Sequence, residues 1–230
     1  AALDFVEVGN LPVVIEYGTE VAVFFPDRSG QYPERKVLAQ AQAGGERYAV
    51  AVLEGRELWI QRVSAGTVKQ EARYRLSGQG AVPLTDVPAF SLQAGELAIG
   101  HLPAAGSLPA RLVVQDAASG SVSVLLAGGA GERIAVGTHP GRLSVIGEDL
   151  NGDGITDLAI LEKETGRLAL YRYDAGAKTF SPLPAASLAA VLKEKAAWLG
   201  TGDLNGDGKA DLLVVQEKTV YACVKEKDGD

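Results

Sequence analysis

Two nonapeptides constrain this chain more than any other feature: Asp149-Leu-Asn151-Gly-Asp153-Gly154-Ile155-Thr-Asp157 and Asp203-Leu-Asn205-Gly-Asp207-Gly208-Lys209-Ala-Asp211. Each puts side-chain oxygens at positions 1, 3, 5 and 9, a main-chain carbonyl at position 7 and a glycine at position 6 for the sharp turn. A hard divalent cation needs such a set, because Ca²⁺ takes about six to eight oxygens and no sulfur. The expected metal ligands are Asp149, Asn151, Asp153, Ile155 and Asp157 in the first loop. In the second they are Asp203, Asn205, Asp207, Lys209 and Asp211, with Ile155 and Lys209 acting through their carbonyls. Each loop is expected to hold one calcium ion, and the flexible cage suits calcium better than the strict octahedron of Mg²⁺. Turn propensity alone could place Asp, Asn and Gly in one loop. The same order of ligands in two places is hard to reach that way.

The residues after each loop exclude the commonest helical calcium site. An EF-hand requires a bidentate Glu at position 12 between two helices, whereas position 12 here is Ile160 or Val214. Both lie in short aliphatic runs, Leu158 to Leu161 and Leu212 to Val215, that read as buried strands.

The same strand rhythm organises the rest of the chain. After the loops, paired apolar runs meet across short turns: Leu158 to Leu161 with Leu168 to Tyr173, and Leu212 to Val215 with Thr219 to Val224. Upstream copies are Arg111 to Gln115 with Ser121 to Leu126, Tyr48 to Leu53 with Glu57 to Arg62, and Val13 to Tyr17 with Glu20 to Phe25. Each is a hairpin with a Gly or polar turn. A short run precedes four of them, at Leu3 to Val8, Leu97 to Gly100, Leu143 to Gly147 and Leu199 to Gly202. Gly turns before Tyr32 and Phe180 open a further strand. Four strands per unit is the strand count of a propeller blade. The third unit shows a decayed loop, since His101, Pro103 and Ala105 stand where the others carry ligands, and it is expected to bind no calcium.

Composition narrows the function classes. With 47% hydrophobic residues in 230, the chain can bury a core throughout its length. A net charge of −7 argues against nucleic-acid binding, which favours a basic face. No stretch reaches the roughly 18 apolar residues of a membrane helix, and no signal peptide opens the chain, whose Ala1-Ala2 start is compatible with a trimmed N-terminus. The single cysteine, Cys223, excludes an internal disulfide and is expected to be a buried apolar residue, as is Trp59.

The segments Gly147-Glu-Asp149 to Asp157-Leu and Gly202-Asp203 to Asp211-Leu closely resemble the FG-GAP or VCBS-type repeat, the blade family of the integrin α-subunit head and of many secreted bacterial proteins. Over the other three units only the rhythm matches, and the Phe-Gly and Gly-Ala-Pro signatures of integrins are missing, so no integrin-like ligand site carries over. The resemblance implies an all-β fold, a β-propeller with calcium in the loops between a blade's first two strands, acting outside the cytoplasm. The expected architecture is a single domain, 1–230, of about five four-stranded blades at 1–40, 41–94, 95–140, 141–196 and 197–230, the last with three strands at most. The alternative is a fragment of a larger, seven-bladed ring. One short helix is expected over Ser187 to Trp198, and Val63 to Gln93 reads as either a long loop or an outer strand with an excursion.

For function, the expectation is a monomeric module of a larger surface or secreted protein, binding a protein or glycan through its loops, with no nucleic-acid partner and no membrane span. It is not expected to be an enzyme. His101 and His139 are the only histidines, and neither sits in a recognisable catalytic constellation. The alternatives are the propeller domain of a secreted carbohydrate-active enzyme, such as a polysaccharide lyase, and a purely structural spacer. A glycan binder would need exposed aromatics at repeated blade positions, for which Tyr32, Phe180 and Tyr171 or Tyr173 are the candidates.

Overall fold

In the computed structural model the described residues are 2–8, 11–42, 44–53, 56–65, 67–78, 80–85, 90–105, 108–127, 132–184, 192, 198–207, 210–216 and 219–224, with side chains placed from residue 12 onward except at 71. Every regular element among them is a β-strand. The first sheet is β1 (Ala2–Val8), β2 (Leu11–Tyr17), β3 (Glu20–Phe25) and β4 (Glu34–Gln40). The second is β5 (Arg47–Leu53), β6 (Glu57–Ser64), β7 (Thr67–Ser77) and β8 (Gly80–Pro83). The third is β9 (Glu96–Leu102), β10 (Arg111–Asp116), β11 (Ser121–Leu126) and β12 (Arg133–Thr138). The fourth is β13 (Leu143–Glu148), β14 (Asp157–Glu162), β15 (Leu168–Asp174) and β16 (Thr179–Leu183), and the fifth is β17 (Trp198–Gly202), β18 (Asp211–Gln216) and β19 (Thr219–Cys223).

In each sheet the strands neighbour one another in chain order, the up-and-down arrangement of a propeller blade. Four sheets have four strands and the fifth has three among the described residues. By contacts the chain divides into two compact units, 1–99 with 116–118, and 100–115 with 119–230. In the first unit the core joins Val13, Ile15, Val21 and Val23 to Tyr48, Val50, Leu58, Ile60 and Leu76. In the second, Ala159 and Leu161 of β14 meet Leu168, Leu192, Leu199, Leu212 and Val214. Burying each large aliphatic side chain contributes about 1.5–3 kcal/mol, so the middle strands, apolar on both faces, hold the sheets together.

The second sheet departs from the sequence reading. The hairpin of Tyr48 to Leu53 and Glu57 to Arg62 forms the first two strands of its sheet, and the connection after it supplies the other two, β7 and β8. Arginines disguise β7: Tyr74 and Leu76 alternate with Arg73 and Arg75, and the buried Arg73 is satisfied by Glu57, with Nη1 2.8 Å from Oε1. A bulge between Ile60 and Gln61 interrupts the pairing further. The helix expected over Ser187 to Trp198 falls almost wholly outside the described residues. Of its members, Leu192 is buried in the core and Trp198 begins β17.

Glycines permit close approach at two places that frame the loops. A side chain at Gly147 on β13 would run into Leu102 on β9. One at Gly200 would run into the Trp198 indole. At the β10–β11 turn, Gly120 adopts φ 73°, and a Cβ there would sit 3.1 Å from the carbonyl oxygen of His139.

Candidate metal centre

Both nonapeptides connect the first strand of a sheet to its second: the loop 149–156 joins β13 to β14, and 203–210 joins β17 to β18. Their position-9 aspartates are the first residues of β14 and β18. The ladders fix this placement, with Glu148 opposite Asp157 and Gly202 opposite Asp211.

The loops fold on their own side chains. Asp149 Oδ1 accepts the N–H groups of Gly152 (2.6 Å) and Asp153 (3.1 Å), and its Oδ2 accepts that of Gly154 (2.7 Å). Asn151 Oδ1 accepts Asp153 N–H at 2.8 Å, and Asn151 Nδ2 donates to Asp153 Oδ2 at 3.0 Å. The second loop repeats this arrangement. Asp203 Oδ1 accepts Gly206 N–H (2.7 Å) and Asp207 N–H (3.1 Å), Asn205 Oδ1 accepts Asp207 N–H (2.9 Å), and Asn205 Nδ2 donates to Asp207 Oδ2 (3.2 Å). These are Asx-type turns, in which the side chain stands in for a main-chain acceptor. Gly152, Gly154 and Gly206 take positive φ angles of 82°, 80° and 75°, a region glycine enters without a Cβ penalty. Gly208 and Lys209 lie outside the described residues.

The buried aspartates differ between the loops. Asp211 is 1% exposed and its Oδ2 accepts the Leu204 N–H at 2.8 Å. Asp157 is fully buried; Oδ1 accepts the Tyr173 N–H at 2.9 Å, but Oδ2 has no hydrogen-bond partner. Burial pushes the Asp157 carboxyl up to about 6. The Tyr173 N–H opposes that rise, the Asp153 and Asp149 carboxylates add to it, and the Leu150 N–H opposes it to a lesser degree without forming a full hydrogen bond to Oδ2. Among the described residues no three His, Cys, Asp or Glu side chains converge into a ready cluster. Much of the donor set is of another kind, an Asn amide and a main-chain carbonyl, and Asp149 faces the backbone.

In the third sheet the corresponding connection is closed by main chain. Ala105 and Leu108 exchange N–H···O bonds of 3.1 and 2.9 Å, and His101 and Leu102 end β9. The other histidine, His139, has a role that its place before Pro140 did not reveal. The ring is 1% exposed, with Nδ1 3.1 Å from Glu162 Oε1 and Nε2 2.7 Å from the Tyr171 hydroxyl. With the ring proton on Nδ1, the imidazole donates to Glu162 and accepts from Tyr171. Gln115 Nε2 holds the same corner through the His139 and Gly141 carbonyls, at 2.7 and 3.0 Å. Glutamate and tyrosine lie 23 and 32 residues from the histidine along the chain, so no local motif signals the contact.

Of the candidate aromatics, Phe180 and Tyr173 are buried with ring centroids 5.0 Å apart, and Tyr171 is engaged by His139. Tyr32 alone of the four is an exposed large hydrophobic, and its hydroxyl donates to the Pro12 carbonyl. Trp59 is in the core as expected, whereas Cys223 is only half-buried, at the margin of the core near Leu212. Among the described residues β19 is the edge strand of its sheet, which leaves it less covered than a central strand would.

Among the described residues no helix is long and apolar enough to cross a membrane. A comparison with curated proteins gives no match. The family model of the FG-GAP-like repeat matches residues 149–214, from the first ligand position of the first loop into β18. With that match spanning both loops and the blade-type sheets on either side of them, residues 149–214 are similar to the FG-GAP-like repeat, and the sheets of the chain have the strand order of propeller blades.

Proposed function

We propose that this chain is a calcium-stabilised recognition module acting outside the cytoplasm, not an enzyme, and that its blades present loops to a protein ligand. One observation carries the calcium assignment. Asp157 buries a carboxylate oxygen without a partner beside two further carboxylates that raise its pKa, a charge balance that a cation bound among them would correct. The donor set is oxygen throughout, which suits calcium. In the first loop the ion would be held by Asp149, Asn151, Asp153, the Ile155 carbonyl and Asp157, and in the second by Asp203, Asn205, Asp207, the Lys209 carbonyl and Asp211. The ion would supply positive charge and nothing reactive. The chain's own residues do the rest: the Asx turns shape the loop, and Asp157 and Asp211 tie it to the start of a buried strand.

The ligand is read as protein rather than glycan because the aromatic ladder expected of a glycan binder is mostly spent on packing. Loops held on a rigid sheet scaffold suit the presentation of a recognition surface. The test is calcium stoichiometry by titration calorimetry, with thermal unfolding of chelator-stripped protein before and after adding Ca²⁺ or Mg²⁺. Two ions bound and a rise in Tm that magnesium does not reproduce are expected. No bound calcium and an unchanged Tm would overturn the assignment.

A further inference from the structure

At the start of the second strand, two of the last three sheets bury an acid and the third does not. The second strands of the last three sheets read Arg-Leu-Val-Val-Gln-Asp, Asp-Leu-Ala-Ile-Leu-Glu and Asp-Leu-Leu-Val-Val-Gln. Their opening residues, Arg111, Asp157 and Asp211, are all buried. Thus the sheet whose loop has lost its ligands carries a guanidinium where the other two carry a carboxylate.

That guanidinium has unusual surroundings. Nε, Nη1 and Nη2 of Arg111 are all buried without a hydrogen-bond partner. Its Cζ lies 5.0 Å from the centroid of the Tyr173 ring, a cation–π contact that offsets part of the desolvation. Tyr173 also donates its N–H to Asp157 Oδ1 at 2.9 Å, and Asp157 Oδ2 is the other buried polar atom on this side without a partner. One tyrosine therefore carries an unpaired cation on its ring and holds a half-paired anion on its backbone. Burial works against the charge on Arg111, and the attractions of Tyr173 and Asp157 work for it. The two opposite charges meet the same tyrosine without hydrogen-bonding each other, which leaves Asp157 able to turn to another cation.

We propose that Arg111 is the fixed countercharge of Asp157, supporting its buried carboxylate in the ion-free protein and weakening the first loop's hold on calcium. The second half of this inference rests on the calcium reading above; the first half does not.

A thermal double-mutant cycle in chelator, using wild type, Arg111→Met, Asp157→Asn and the double variant, tests the first half without calcium. Met is a suitable apolar replacement for a buried arginine. Arg111→Lys keeps the charge as a control, and Arg111→Gln serves if the Met variant does not fold. Asp157→Asn is expected to raise Tm by about 2 °C or more beyond its wild-type effect when Arg111 is Met, and by the wild-type increment when it is Lys. Equal increments in every background would overturn the inference. For the second half, calcium is titrated in an Asp207→Ala background that isolates the first loop. Arg111→Met should tighten binding there on the order of threefold to tenfold, and unchanged affinity would overturn that half. If the wild-type protein takes up no calcium, the proposed function fails while the chelator cycle still decides the Arg111–Asp157 coupling.

Discussion

Asp157→Asn should do opposite things with and without calcium. In the folded protein the Asp157 carboxyl titrates at about 6 against an ordinary 3.8. Between those values the native state holds a proton that the unfolded chain has released, so stability rises as pH falls through 6 towards 4. Above about pH 6 the ionised group imposes its full penalty, about 3 kcal/mol at 1.36 kcal/mol per unit. Asparagine removes the charge and can keep an oxygen facing the Tyr173 N–H. Its amide nitrogen takes the place of the unpaired Oδ2 and costs about 1–2 kcal/mol for want of a partner. The net gain in chelator at pH 7.5 is about 1–2 kcal/mol, or roughly 3–6 °C in Tm for a chain of this size. The gain should vanish by about pH 4, where the wild-type group is protonated. In saturating calcium the order should reverse, because binding at a hundred times Kd stabilises wild type by about 2.7 kcal/mol that the variant loses. Differential scanning calorimetry across pH 4–8, with chelator and with calcium, measures both. A variant less stable than wild type in chelator at pH 7.5, or a difference that does not change with pH, would refute the reasoning.

Other perturbations probe the remaining features. Asp153→Ala and Asp207→Ala should each remove one bound ion and lower Tm without unfolding the other blades, since repeat units share stability with their neighbours alone; equal ion content in variant and parent would count against the ligand assignment. His139→Phe removes the imidazole from Glu162, which keeps Thr165 and Arg167 as partners, and leaves the Tyr171 hydroxyl without it; it should destabilise by about 1–3 kcal/mol in urea titration, with a loss under about 0.5 kcal/mol showing the network to be slack. Gly120→Ala forces a side chain into the left-handed region and against the His139 carbonyl, at about 1–2 kcal/mol or more; an unchanged midpoint would mean the turn can relax.

How legible the fold was depended on whether the strand signal was local. Around the loops it was: the runs at Leu158, Leu168, Leu212 and Thr219 are aliphatic or β-branched, bounded by turns, and each is a strand in the structure. At β7 it was not, because Arg73 and Arg75 interrupt the apolar alternation and a distant partner, Glu57, makes the buried arginine tolerable. The aromatic candidates failed for a similar reason, since Phe180 and Tyr173 face each other in a core that periodicity alone does not define.

The order of oxygens in the nonapeptides and the strands after them determined by themselves the blade repeat and the location of the candidate site, because turn chemistry and strand alternation act over a few residues. Tertiary structure alone decided which oxygens are satisfied. Asp211 finds the Leu204 N–H, Asp157 keeps one oxygen unpaired, Arg111 is buried over Tyr173, and His139 is fixed between Glu162 and Tyr171. Burial and hydrogen-bond pairing depend on groups brought together from different strands, and that proximity exists only once the sheets have packed.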